Sequence, residues 1–242
     1  MEGPDIRRQG LDGCQCLADG VFAQVIAGPQ GIFECGFEGG LGLHAPNYTP
    51  AARQYNLGMP FYTRKGDGGY TGLLGEGRVP KNHPRPEAVG AVDEATSALG
   101  LARASCQAPQ IAPLILEIQR HLYLLMAALA ATPEEAERFR AIDAAKVTWL
   151  ETQIDELSQL VSMPDEFILP ADSAGGAALD LARTVVRRAE RRAAGLYHMG
   201  EISNSEVLNY LNRLSSLCFV LELLENQHAG RDTTLAKDGG KR

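Results

Sequence analysis

Between Glu87 and Gln227 the apolar residues recur every three or four positions in five successive runs, a period that suits packed helices and little else. Glu87–Ser105 carries Ala88, Val92, Ala95, Leu99 and Ala102, and Ile111–Ala131 carries a broader stripe from Leu114 through Leu129. Thr132-Pro133-Glu134-Glu135 predicts a third helix start, with Thr as cap, Pro at the first position and acids in the first turn. That helix is expected to run to about Leu160 through Val147, Leu150, Ile154 and Leu157. Ser162–Asp172 is a break held between two prolines. A fourth run centres on Ala177–Arg192 and ends near His198–Gly200, and a fifth spans Asn204–Gln227. Short links between long amphipathic helices imply antiparallel neighbours, so the expected fold is all-α, a five-helix up-and-down bundle. No heptad is sustained long enough for a free coiled coil, and no internal repeat occurs.

The chain has 242 residues, 45% of them hydrophobic, which is enough apolar material for a sizeable core. A net charge of −7 argues against a general nucleic-acid binder, which needs a large basic surface. No run of eighteen apolar residues occurs, so no membrane span is expected. Cys14, Cys16, Cys35, Cys106 and Cys218 lack the paired spacing of a zinc site. With neither a signal nor a transit peptide in view, free thiols in a cytoplasmic setting are expected.

Three segments follow from this pattern. Residues 1–58 are Gly-rich and poorly periodic, with short apolar patches at Val21–Ile26 and Gly31–Phe37. They read as a loosely ordered extension, one with a small hairpin, or sequence upstream of a start at Met59. Residues 59–228 hold the bundle, and 229–242 read as a disordered tail. Phe61–Pro86 is expected to form loops.

Two stretches carry candidate chemistry. On the fourth helix Arg183, Arg187, Glu190 and Arg191 step by three or four, so they line one side, with Arg188 and Arg192 close by. Guanidinium groups at one-turn intervals suit a polyanion such as a triphosphate, although a solvated basic face has the same pattern. Upstream, Tyr62–Asn82 reads YTRKGDGGYTGLLGEGRVPKN. Its Gly66, Gly68 and Gly69 let the backbone approach an anion closely. Thr63 and Thr71 add hydroxyls, Arg64, Lys65 and Lys81 add positive charge, and Asp67 could hold the loop or a hydrated Mg²⁺. No GxxxxGK[ST] is present, so this is not a Walker loop. Asp93 and Glu94 sit mid-helix in EAVGAVDE, where an acid usually ends up solvated or paired across an interface.

YTRKGDGGYTGLLG, Pro80-Lys81, EAVGAVDE, PDEFILP, ALDLARTVVRRAERR and YLNRLS follow in this order over Phe61–Gln227. Together they closely resemble the PduO-type ATP:cob(I)alamin adenosyltransferases. The resemblance implies a homotrimer of five-helix bundles with active sites between subunits. It also implies an enzyme that transfers the 5′-deoxyadenosyl group of ATP to the cobalt of cob(I)alamin, giving adenosylcobalamin and triphosphate. Thr63, Arg64, Lys65, Gly66, Thr71 and Lys81 match positions that wrap ATP; Arg187, Arg188, Glu190, Arg191 and Asn212 match the rest of that site, and Mg²⁺ is expected with the phosphates. Arg183 matches an arginine that pairs with the aspartate at Asp93 across the subunit boundary. Phe167 matches the aromatic pressed against the lower face of the corrin.

A corrinoid reductase and an adenosylcobalamin-dependent enzyme are the implied partners. Two departures stand out: Ala171-Asp172 replaces a common Gly-Gly, and Asp180 replaces a common His, both toward the corrinoid side. An alternative from another class is an adenosylcobalamin escort with little turnover, which would have no need of a triphosphate site. The pathway served stays open at this point.

Overall fold

The computed structural model describes residue 62 and residues 64–237, and the chain divides into two units between Gly69 and Tyr70. Thr63, both apolar patches of the N-terminal segment, His44 and the three cysteines before residue 58 lie outside the described residues. In the first unit, residues 64–69 form a tight turn in which Asp67 N–H donates to Arg64 O and Gly69 N–H to Gly66 O.

The second unit opens with a short antiparallel hairpin, β1 (Tyr70–Gly72) and β2 (Arg78–Pro80), with Thr71 opposite Val79. The sequence reading expected only loop here. Gly75, at φ +130°, makes the reversal possible, and a side chain there would also run into Thr132. Five helices follow: α1 (Pro84–Ser105), α2 (Ile111–Ala130), α3 (Ala144–Ser158), α4 (Ala174–His198) and α5 (Glu206–His228).

Three helix starts differ from expectation, that of the fifth helix by only two residues, at Glu206 for Asn204. The first helix begins at Pro84 rather than Glu87, because proline at the first turn forfeits only an N–H that has no partner anyway. The third begins at Ala144 rather than Thr132. Thr132 N–H donates to Leu74 O at 2.9 Å, and Leu74 N–H donates to Ala130 O at 2.9 Å. The residue expected to cap a helix is therefore held in a bridge to the hairpin. Residues 133–141 make only short-range turns, and Asp143 takes over as cap, accepting from Lys146 N–H at 3.0 Å.

Directions follow from the cross-links. Glu94 faces Arg188 and Glu87 faces Arg192, so α1 and α4 run antiparallel. Ser173 bonds Asn226 while Glu190 bonds Asn212, so α4 and α5 are antiparallel too. Ile142–Asn204 and Glu151–Arg213 keep a constant offset of 62 residues, so α3 and α5 are parallel. With the short α1–α2 link, the chain alternates up and down through all five helices. The packing partners are nonetheless not all consecutive: α1 packs on α2 and α4, and α5 packs on α4 and α3.

The core lies on these faces, with Leu99, Ile118, Leu125, Leu179, Val186, Leu214 and Leu221 fully buried. By length and composition alone α2 and α5 could each cross a membrane. Here their apolar residues fill the bundle, and α5 also buries Glu222, Glu225 and Asn226. The Glu225 carboxylate accepts from the N–H groups of Gln107 and Ala108 at 3.0–3.1 Å, closing the α1–α2 turn. Gly175 lets α4 start against it, since a Cβ there would stand 2.7 Å from Glu225 Oε1. Residues 231–237, expected as disordered tail, instead lie against the α3–α4 connection, where Leu235 bridges Ile168.

Candidate active site

Helix α4 is two-faced, as its sequence predicts. Leu179, Ala182, Val186, Ala189 and Ala193 are buried, while Arg187, Arg188, Arg191 and Arg192 stand exposed. Ser173 caps the helix, its hydroxyl accepting from Gly176 N–H at 2.9 Å.

A cavity of about 730 Å³ opens between α4, α5 and the α3–α4 connection. Phe167, Met163, Ile168 and Phe219 supply its apolar wall, while Asp180, Arg183, Arg187 and Ser215 supply polar groups. Phe167 is 87% exposed, so it is no core residue. A large aromatic ring left bare at a cavity mouth offers a flat apolar surface to a ligand. The structure thus brings Phe167, Arg183 and Arg187 together from segments that the sequence separates.

Arg183 is held within the chain: its Nε and Nη2 both donate to Asp180 Oδ1, at 2.8 and 2.7 Å. The Arg187 guanidinium has no hydrogen bond or ion pair among the described residues, and only its backbone carbonyl is used, by Arg191. Arg188 pairs with Glu94, and Arg192 lies 3.9 Å from Glu87. Asn212 Nδ2 donates to Glu190 Oε1 at 3.0 Å, and Arg213 donates to Asn212 and Glu151, tying α4, α5 and α3 together.

Asp93 is half-buried with no partner among the described residues, and burial together with the Glu94 charge raises its pKa. On the hairpin Thr71 is half-buried and Lys81 exposed. In the first unit Arg64, Lys65 and Asp67 are exposed, Gly66 is half-buried, and the Arg64 guanidinium stacks 5.3 Å from the Tyr62 ring centre.

Glu222 was missed by the sequence reading. It is fully buried on α5, and neither carboxyl oxygen has a hydrogen-bond partner among the described residues. Burial, with the Asp180 charge next in size, pushes its pKa up to about 7, against the pull of Arg183. The available signal was an acid at the centre of the apolar run LCFVLELLEN. Asp172 was noted only as a departure, yet both its oxygens bind Thr234. No group of three or more metal-ligating side chains occurs among the described residues.

Residues 61–225 match the family described as cobalamin adenosyltransferase. The corrinoid adenosyltransferase PduO of Citrobacter freundii is 39% identical over 181 residues, 74% of this chain and 53% of the relative. The chain thus spans about half the length of the PduO relatives it matches. A corrinoid adenosyltransferase of Bacillus subtilis is 37% identical over 71% of this chain and 89% of its own length. Among solved structures, a single-residue variant of the PduO-type ATP:corrinoid adenosyltransferase from Lactobacillus reuteri, complexed with cobalamin and ATP, superposes with a TM-score of 0.69. It is 32% identical and covers 74% of this chain and 100% of its own. On the match over residues 61–225 and these relatives, the chain belongs to the cobalamin adenosyltransferase family.

Proposed function

We propose that this chain transfers the 5′-deoxyadenosyl group of ATP to the cobalt of a reduced corrinoid. The observation that carries this reading is one cavity lined both by the bare Phe167 ring and by Arg187, whose guanidinium has no partner among the described residues. Cobalt in the Co(I) state is itself a strong nucleophile. Its electron pair forms the Co–C5′ bond as the C5′–O bond breaks, and triphosphate leaves with the bonding pair. No proton moves, so the protein needs no general base. Its tasks are to hold the two substrates in line and to stabilise the growing charge on the leaving group.

Phe167 is assigned to the lower face of the corrin, where it keeps an axial donor away from the metal. Arg187, Arg188 and Arg191, with Glu190 and Asn212, are assigned to the nucleotide. Thr63, Arg64, Lys65, Gly66, Thr71 and Lys81 are assigned to ATP by their match to the family motif. Mg²⁺ bound to the phosphates would offset part of their charge, and Asp67 is the carboxylate of the set suited to a hydrated ion.

We further propose a homotrimer in which Asp93 meets Arg183 of a neighbouring copy. A half-buried carboxylate without a partner among the described residues supports this. A corrinoid reductase upstream, an adenosylcobalamin-dependent enzyme downstream and a cytoplasmic setting complete the reading.

The test is anaerobic, combining the protein with ATP, Mg²⁺ and chemically reduced cob(I)alamin. The light-sensitive adenosylcobalamin spectrum should appear with stoichiometric triphosphate. Corrinoid bound without triphosphate release would overturn the enzyme reading in favour of an escort.

A further inference from the structure

Phe167 stands on a long connection, residues 159–173, that carries no helix or strand of its own. Among the described residues, the backbone hydrogen bonds of Phe167–Asp172 all go to the C-terminal segment. Ala236 N–H donates to Phe167 O at 2.7 Å, and Leu169 N–H donates to Thr234 O at 2.8 Å. Ile168 and Leu235 form an antiparallel bridge between them. At the far end Asp172 clasps one residue with both oxygens. Thr234 Oγ1 donates to Oδ1 at 2.6 Å, and Thr234 N–H donates to Oδ2 at 3.0 Å. Asp172 is itself followed by Ser173, whose hydroxyl donates to the buried Asn226 at 2.6 Å and anchors the start of α4.

We propose that the Asp172–Thr234 clasp straps the C-terminal segment along the Phe167 connection and sets the position of Phe167 at the cavity mouth. This makes Asp172 and Thr234 positioning residues for the corrinoid. The inference rests on the assignment of Phe167 to the corrin face.

The physical case is one of rigidity. An unpaired connection of this length samples many conformations, and ordering it on binding lowers affinity. Two added backbone hydrogen bonds and a charge-assisted clasp order it beforehand. The strap runs along the backbone of the connection and leaves the Phe167 ring bare. It therefore acts on where the ring stands, with no contact to substrate of its own. The replacement of a common Gly-Gly by Ala171-Asp172 fits this role. Ala171 holds a left-handed conformation, φ 92°, so the bend is kept without glycine while the next side chain gains a carboxylate.

The experiment uses the full chain with cob(II)alamin in the presence of ATP, comparing wild type, Asp172→Ala, Thr234→Val, Thr234→Ser and Phe167→Ala. Absorbance and electron paramagnetic resonance report the fraction of cobalt that has lost its lower axial ligand. Amide hydrogen exchange reports Leu169 and Ala236. Asp172→Ala and Thr234→Val should weaken cob(II)alamin binding about fivefold with ATP affinity within about twofold, and should lower the ligand-free cobalt fraction. Exchange at Leu169 and Ala236 should speed up about tenfold, and Thr234→Ser should restore wild-type behaviour.

If Phe167→Ala changes the cobalt spectrum while Asp172→Ala and Thr234→Val match wild type, the strap is refuted and the corrin-face assignment stands. If Phe167→Ala leaves the spectrum unchanged, that assignment falls and takes the strap with it. Should Asp172→Ala lower thermal stability, Thr234→Val decides, since it keeps the carboxylate next to the helix cap.

Discussion

Arg183 grips a single oxygen of Asp180, one turn earlier on α4, with both Nε and Nη2, at 2.8 and 2.7 Å. The same guanidinium opposes the raised pKa of Glu222, which burial and then the Asp180 and Asp172 charges push up. Two carboxylates, Asp180 and Glu222, thus depend on one arginine. Arg183→Ala should lower stability by about 1–3 kcal/mol, less than for a fully buried pair because both partners keep some exposure. The urea midpoint measures this, and a midpoint equal to wild type would remove the cluster from the account of stability.

Glu222 makes the stability of the chain depend on pH. Its folded pKa is about 7 against an ordinary 4.5, so the native state holds the proton more tightly than the unfolded state. The stabilising contribution is complete below about pH 4.5 and is lost as pH rises through about 7. The ceiling on this loss is about 3–4 kcal/mol, at roughly 1.4 kcal/mol per pKa unit, and partial screening lowers it. Glu222→Gln should abolish the decline between pH 5 and 7 (roughly the span between the two pKa values) and make the protein more stable at pH 8. Denaturation at a series of pH values tests it; a variant as pH-dependent as wild type would assign the slope elsewhere.

Arg85 is 2% exposed and ties the start of α1 to the end of α2 and to the α4–α5 connection. Nε meets Glu201 Oε2 at 2.9 Å, Nη1 donates to Leu129 O at 3.1 Å and to Ala131 O, and Nη2 donates to Glu201 O. An ammonium cannot reach that many acceptors from one planar fork. Arg85→Lys should therefore cost about 2–4 kcal/mol despite keeping the charge. Equal urea midpoints for the lysine variant and wild type would show that charge alone matters here.

Arg187 is exposed and its guanidinium has no partner among the described residues, so replacing it should leave the fold intact. Arg187→Ala should slow triphosphate release at least tenfold, a loss of about 1.4 kcal/mol of transition-state stabilisation. Unchanged turnover with reduced cobalamin and ATP would take this residue out of the mechanism.

What the sequence determined by itself was the helical content and the two faces of α4. Both follow from periodicity, a local property: residues three and four apart share a face whatever the neighbours are. The order of motifs from YTRKGDGG to YLNRLS likewise carried the family, because sequence alone holds that information. Tertiary structure decided the rest. Thr132-Pro133 reads as a helix start, but its N–H is taken by Leu74, more than fifty residues upstream. Pairing Asp172 with Thr234 turned a tail without periodicity into an ordered strap, since two hydrogen bonds across 62 residues leave no local signature. Phe167, in an apolar FILP, stands bare, while Glu222, an acid, is buried without a partner among the described residues. Burial is settled by which helices meet, and α1 on α4 with α3 on α5 is an arrangement that no local pattern specifies.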